Sequence, residues 1–242
     1  MFSGFDFDVI ERSLPFLFKE GMTFTLTLTA MAMTGGIVFG TLLAMMRLSS
    51  YRLLNLPAAT YVNLMRSVPL VLVIFWFYFL VPWIGGWIIG AGQPIKVGAF
   101  WSSVITFTLF EAAYYAEIMR AGIQSLPRGQ RMAGTSLGLT LPKTYRRVLL
   151  PQAFRIILPP LTSEFMNIIK NSAVALTIGL VELTARARSM QEFTFQVFEV
   201  FTATTLIYIC ITLIVVVGMR WVEKRVHVPG LISAGGAPLA GH

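Results

Sequence analysis

Residues 123–155 read IQSLPRGQRMAGTSLGLTLPKTYRRVLLPQAFR. The stretch holds Arg128, Arg131, Lys143, Arg146, Arg147 and Arg155, has no acidic residue, and separates two segments apolar enough to cross a membrane. Basic connecting loops of membrane proteins stay on the cytoplasmic side. The loop is also patterned. GQRMAGTSLGLT (129–140) is followed by VLLP (148–151), and Val148 lies ten positions after Gly138. The spacing predicts two short helices broken by a glycine turn and presented to a soluble partner.

The rest of the chain fits a membrane setting. Of 242 residues, 56% are hydrophobic and 12% charged, with a mean hydropathy of +0.73. A soluble domain carries about 25% charged residues. The net charge of +8 does not point to nucleic acid, because the basic residues flank apolar segments, where they orient a membrane protein. The lone Cys210 forms no internal disulfide, and no His, Cys or carboxylate cluster has metal spacing. The N-terminal MFSGFDFDVIERSLPFLFKEG is acidic and lacks the basic start of a signal peptide. It reads as an interfacial helix with Phe5, Phe7, Leu14, Phe16 and Leu17 against lipid.

Five apolar stretches are expected to span, near 21–46, 56–81, 98–118, 156–181 and 200–222. Each reaches the ~20 residues that a ~30 Å hydrocarbon core requires, and without alternating polarity they are helices rather than barrel strands. The expected architecture is therefore an all-α membrane protein of five transmembrane helices. Its cytoplasmic loop of two short helices lies between spans three and four. It divides into an outer N-terminal segment (1–20), a transmembrane domain (21–222) and a flexible tail (223–242) that includes His227 and His242. Arg47, Arg52, the basic loop, Lys224 and Arg225 lie on one side, and Asp6, Asp8, Glu11 and Glu20 on the other. This puts the N-terminus outside and the C-terminus inside.

Neither an internal repeat nor a GxxxxGK[ST] phosphate loop is present, so uphill movement would need energy from a partner or an ion gradient. Ala32, Gly36, Gly40 and Ala44 recur every four residues on the first span. Such a stripe permits close helix approach, either within the chain or with a second subunit. Arg66, Glu111, Glu117, Asn167 and Lys170 are polar groups inside expected spans. A charge at a helix centre costs ~2.5–3.5 kcal/mol, so it faces a bundle interior or a water-filled path. These five are the candidate path or gate residues, with structural ion pairing as the plainer alternative. Arg66 and Glu117 are close enough to the cytoplasmic ends to pair. Pro69, just past Arg66, loosens its helix.

These segments resemble the permease subunits of type I ATP-binding-cassette importers for polar amino acids. GQRMAGTSLGLT with VLLP matches that family's coupling loop, and MRSVPLVLVIFWFY, FEAAYYAEIMRAGIQSLPRGQ, LPQAFR and KNSAVALTIGLVEL are also family-like. Gly138 takes the motif glycine, and Val148, Leu150 and Pro151 its closing positions. The motif glutamate falls on Met132 and its second alanine on Gly134, so the usual acidic contact with an ATPase is missing. FYFLVP, FEAAYY and GQRMAG are most similar to the glutamate/aspartate branch. The resemblance implies an ATPase pair, a second permease subunit (identical or different) and a periplasmic solute-binding protein. The chain itself is then no enzyme and carries no cofactor, since ATP and magnesium sit on the partner. The implied ATPase-coupling residues are Gly129, Gln130, Arg131, Ala133, Gly134, Gly138, Leu139, Pro142 and Pro151. Glutamine, histidine or arginine as solute, and a secondary transporter or channel, are the alternatives.

Overall fold

The computed structural model describes residues 6–226, and every regular element among them is helical. Phe5, His227, His242 and the tail beyond Pro229 lie outside the described residues. Helix α1 runs over Phe7–Leu48. Asp6 caps it by accepting the Asp8 N–H at 2.9 Å, and a π-helical turn at Leu17–Met22 joins its outer segment to the first span. The N-terminal segment is therefore continuous with the span rather than a separate interfacial helix. Leu17, expected against lipid, is buried in a core cluster with Ile169, Leu183 and Val200.

The second expected span is displaced. Helix α2 (Arg52–Ser67) stops at Val68, and α3 begins at Leu70 and reaches Ile88. Val68 and Pro69 are both extended, with ψ of 136° and 137°. Proline has no N–H to continue the ladder and disfavours helical backbone in the residue before it. The helix long and apolar enough to cross is thus Leu70–Ile88. Arg66 falls at the end of α2, beside the break, rather than inside a span.

Helix α4 (Ala99–Gln124) follows, then α5 (Arg128–Ser136), α6 (residues 141–178), α7 (Leu183–Thr194) and α8 (Val197–Val226). The second short helix of the loop does not stand alone. It begins at Leu141 and runs on into the long helix. Pro151 interrupts this helix less than expected because the preceding turn, Tyr145–Leu149, is π-helical, and Leu150 donates back to the Tyr145 carbonyl. Helix α6 ends at Gly179, whose φ of 79° lets Leu180 N–H reach the Ala175 carbonyl at 3.0–3.1 Å spacing with the Gly179–Leu176 bond. The axis then bends by 55° into α7. Among the described residues, three helices, Phe7–Leu48, Leu70–Ile88 and Val197–Val226, are long and apolar enough to span, and α6 passes the same measure only together with the bent α7.

The centre of the bundle is the α1–α4 contact. Ala32, Gly36, Gly40 and Ala44 are buried and the two glycines face α4. A Cβ on Gly40 would lie 2.7 Å from Tyr115 Cβ and 3.0 Å from the Ala112 carbonyl; one on Gly36 would lie 3.0 Å from the Tyr115 ring and 3.1 Å from Glu111 Cβ. The small-residue stripe therefore serves packing within the chain. Gly40→Leu should overpack this seam and cost about 1–3 kcal/mol, read as a lower thermal midpoint of the purified protein. Gly218→Ala, with nothing within 4 Å of the added methyl, should not lower the midpoint, since alanine is the better helix former.

Candidate functional site

The connecting loop has two unlike faces. On one, Gln130 Nε2 donates to Gln152 Oε1 at 2.9 Å, and Gln152 Nε2 donates to the Val148 carbonyl at 2.9 Å. Gly134 is buried on the same face, where a Cβ would sit 2.6 Å from Thr144 Cγ2. Glycine there lets α5 lie flat on the base of α6. Its end is set by Gly138, at φ 75°. Gly138 N–H bonds the Thr135 carbonyl and Leu139 N–H the Gly134 carbonyl, both at 3.0 Å. This double bond pattern closes a helix with a left-handed residue, which glycine adopts without penalty. Gly129, Arg131, Met132 and Ala133 lie exposed on the opposite face, and Leu137 is 81% exposed at its end. Leu139 is half-buried, and Pro151 is exposed on α6. Pro142 lies in the first turn of α6, and its side chain lies outside what the structure describes.

A second cluster gathers where α1, α2 and α4 end. Glu117 binds Arg47 of α1 and Arg120 of its own helix, and Arg66 of α2 stands 3.9 Å away. Asn55 of α2 donates to the Arg47 carbonyl. The Arg66 side chain is 39% exposed, and its guanidinium lies 5.5 Å above the Tyr114 ring. Three cations around one carboxylate leave a surplus of positive charge, with Arg66 the most loosely held. The sequence expectation that Arg66 and Glu117 lie close enough to pair is met. Arg47 and Arg120 were missed as members of this cluster; Arg47 reads in the sequence as one of the basic residues that orient the chain.

The remaining candidates lie deeper and apart. Glu111 is buried against Gly36, and one of its carboxyl oxygens has no hydrogen-bond partner among the described residues. Glu164, half-buried on α6, is close enough to repel it, and Asn167 sits beside Glu164. Lys170 is exposed and makes no ion pair among the described residues. It lines an open groove of about 300 Å³ with Ala173 and with Thr205, Tyr208, Ile209 and Thr212 of α8. Lys170 is thus exposed rather than buried, and the plainer alternative of a structural ion pair is not met for it among the described residues. Glu182 was also missed. It is buried, accepts the Thr184 and Ala185 N–H groups at 2.9 Å and the Tyr208 hydroxyl at 3.1 Å, and so caps α7 and ties it to α8. Its signal was an acidic residue directly before a helix.

The described residues form an all-helical bundle with apolar helices long enough to cross a membrane and a solvent-facing helix clamped to the base of α6. Residues 36–228 match the family of binding-protein-dependent transport system inner membrane components, and the chain belongs to that family. It is a translocation subunit and not an enzyme. It is 41% identical to the glutamate/aspartate import permease protein GltJ of Escherichia coli K12, over 87% of each chain. It is 35% identical to GltK of Escherichia coli O157:H7, covering 91% of this chain and 98% of the relative. The probable glutamine ABC transporter permease protein GlnM of Bacillus subtilis is 32% identical, over 87% of this chain and 94% of its own. A solved amino acid ABC transporter with histidines superposes with a TM-score of 0.80 at 34% identity, over 91% of this chain and 98% of the other.

Glu117→Gln should leave Arg47 and Arg120 without a counter-charge. Losing one member of a partly buried pair costs more than the pair contributes, so the thermal midpoint should fall. A second change, Arg47→Met, should restore part of the loss, which a double-mutant cycle reads directly.

Proposed function

We propose that this chain is the permease subunit of an ATP-driven importer for acidic amino acids, glutamate and aspartate. The observation that carries the coupling is the two-faced helix α5. One face is fastened to α6 through Gln130–Gln152 and Gly134–Thr144, and the other exposes Met132 and Leu137 to a partner. The solute assignment is supported by the 41% identity to GltJ. The 32% identity to a probable glutamine permease favours a second reading, a neutral polar amino acid.

On this reading α5 seats in a groove of an ATPase subunit, two of which bind ATP and magnesium and close together. A binding protein delivers the solute from outside, and a second permease subunit, identical or different, completes the path. The chain crosses the inner membrane five times, by the span of α1, by α3, by α4, by α6 and by α8. The N-terminus is outside and the C-terminus inside. Pairing of Arg47 with Glu117 next to the α5 end, and of Glu20 with Arg186 at 3.3 Å at the other end, supports this alternation. Because α6 is continuous from residue 141 to 178, a push on α5 is delivered to Asn167 and Lys170 without an intervening joint. Lys170, and Arg66 at the inner end, supply positive charge to an anionic solute. Glu117 holds the inner cluster together rather than meeting solute, and Glu111 stays behind Gly36.

Three outcomes test this reading. A cysteine at Ser125 should label only from the cytoplasm, and one at the exposed Gln93 only from outside; external labelling of Ser125 in intact cells would sink the topology. Gly138→Val forces a β-branched residue into φ 75°, a region that costs L-residues roughly 1–2 kcal/mol. It should abolish solute-stimulated ATP hydrolysis while insertion survives, and Gly138→Asn, which tolerates that region, should keep most of it. Lys170→Met should cut uptake of radiolabelled glutamate at least several-fold at unchanged complex abundance, with Lys170→Arg retaining more. Full uptake by the Met variant would remove Lys170 from the path.

A further inference from the structure

The connection between α7 and α8 exposes three phenyl rings within six residues. Phe193 is 86% exposed, Phe195 84% and Phe198 79%. The proposed transport role uses none of them. The turn is built to present them. Phe195 holds φ 58°, the one non-glycine residue with positive φ among the described residues, and its N–H closes α7 on the Gln191 carbonyl at 2.8 Å. A bulky residue in this region needs a reason, because the conformation is strained for L side chains. Here it ends α7 and turns the ring away from the bundle.

Phe198 starts the exposed face of α8 that continues through Leu206, Leu213 and Val217 to Trp221. No charged side chain stands on that face before Arg220; Glu199, the acidic residue at its start, is buried on the opposite side and accepts the Asp6 N–H at 3.3 Å. At about 1.5 Å per residue, Phe198 to Trp221 rises about 34 Å, against a hydrocarbon core of about 30 Å. At the far end Arg225 stacks over the Trp221 ring at 3.9 Å, an aromatic and basic pair suited to a membrane boundary. The opposite boundary then falls at Phe198, level with the turn. Helix α7 itself buries Leu183, Ala185 and Ala187 inward and exposes the Arg188–Glu192 pair, as a helix lying along a bilayer surface does.

We propose that the α7–α8 turn is a membrane-interface anchor, in which Phe193, Phe195 and Phe198 insert into the outer boundary of the lipid bilayer and hold the bent α6–α7 joint at fixed depth. The occupant is lipid because the rings continue an uncharged face whose length matches the bilayer. This inference needs only that α8 crosses the membrane, and so stands or falls separately from the solute and coupling assignments.

The test uses the assembled transporter in liposomes of phosphatidylethanolamine and phosphatidylglycerol, with Cys210→Ala as background. Nitroxide labels are placed at Phe195→Cys and Phe198→Cys, with Glu192→Cys as aqueous reference and Leu213→Cys as bilayer reference. Power saturation should show the two turn labels colliding several-fold more with oxygen than with a water-soluble nickel chelate, as Leu213 does and Glu192 does not. Nickel collisions equal to those at Glu192 would place the turn in water and overturn the anchor. Shielding from both reagents would show a protein cover, whether a second permease copy or a binding protein, and would overturn it equally. If the labelled variants do not assemble, the conservative Phe195→Trp gives the same reading. Brominated lipid should quench its added fluorescence, and no added quenching over the parent transporter refutes the proposal.

Discussion

Everything in this bundle depends on how closely α1 approaches α4. Two helices normally pack at 8–10 Å between axes, set by the side chains at the contact. In a bilayer no hydrophobic drive holds them together, so van der Waals fit must. Here alanine and glycine line the α1 side and Tyr115 fills the α4 side, with Gly40 close enough to meet the Ala112 carbonyl if it carried a Cβ. That fit fixes the axial register of the two helices. Register in turn brings Arg47, at the last turn of α1, onto Glu117 of α4. The inner ionic cluster is therefore a consequence of the seam, and Arg66 joins it because α2 is threaded back along α4 by Tyr61, whose hydroxyl donates to the Leu109 carbonyl at 2.8 Å.

The second constraint is where helices are allowed to break. Pro69 divides α2 from α3, Gly138 divides α5 from α6, and Gly179 divides α6 from α7. Between the last two there is no break, although Pro151, Pro159 and Pro160 all lie there. The π-helical turn before Pro151 absorbs the missing donor without ending the helix. The helix between these two left-handed glycines is continuous, through a π-helical turn at Tyr145–Leu149 and a 3-10 end at Ser172–Ile178, and α5 is fastened to its base at Gln152 and Thr144.

Much of this was legible in the sequence. Hydropathy marks the apolar helices, and the basic loop with its Gly138 turn appears as φ 75° in the structure. The small-residue stripe is visible as spacing, but spacing alone does not say which helix it meets. The errors share a cause. The second span was drawn through Pro69 because Leu56–Ser67 adds apolar residues on only one face of an amphipathic helix, buried at Ala58, Val62 and Met65. Arg66 and Lys170 read as buried because their neighbours in sequence are apolar, yet burial follows the face and not the segment. Glu182 escaped notice because its partner, Tyr208, is set by helix packing.

The exposed face of α5 carries one more consequence. Where the resemblance leads one to expect a glutamate, this chain has Met132, flanked by Arg131 and followed by the exposed Leu137. A carboxylate at a partner's groove would contribute an ion pair, which salt screens within about 10 Å at moderate ionic strength. Methionine contributes area and an adaptable thioether instead. On the proposed docking, the attachment of α5 is then governed by apolar burial, at about 25 cal/mol per Å², and by whatever acidic group meets Arg131. On that docking, a basic residue in the partner's groove would face Arg131 rather than a carboxylate. The two departures on α5 act differently: Met132 changes what its outer face offers, and Gly134 removes a Cβ that would lie 2.6 Å from Thr144, so that the inner face can close on α6.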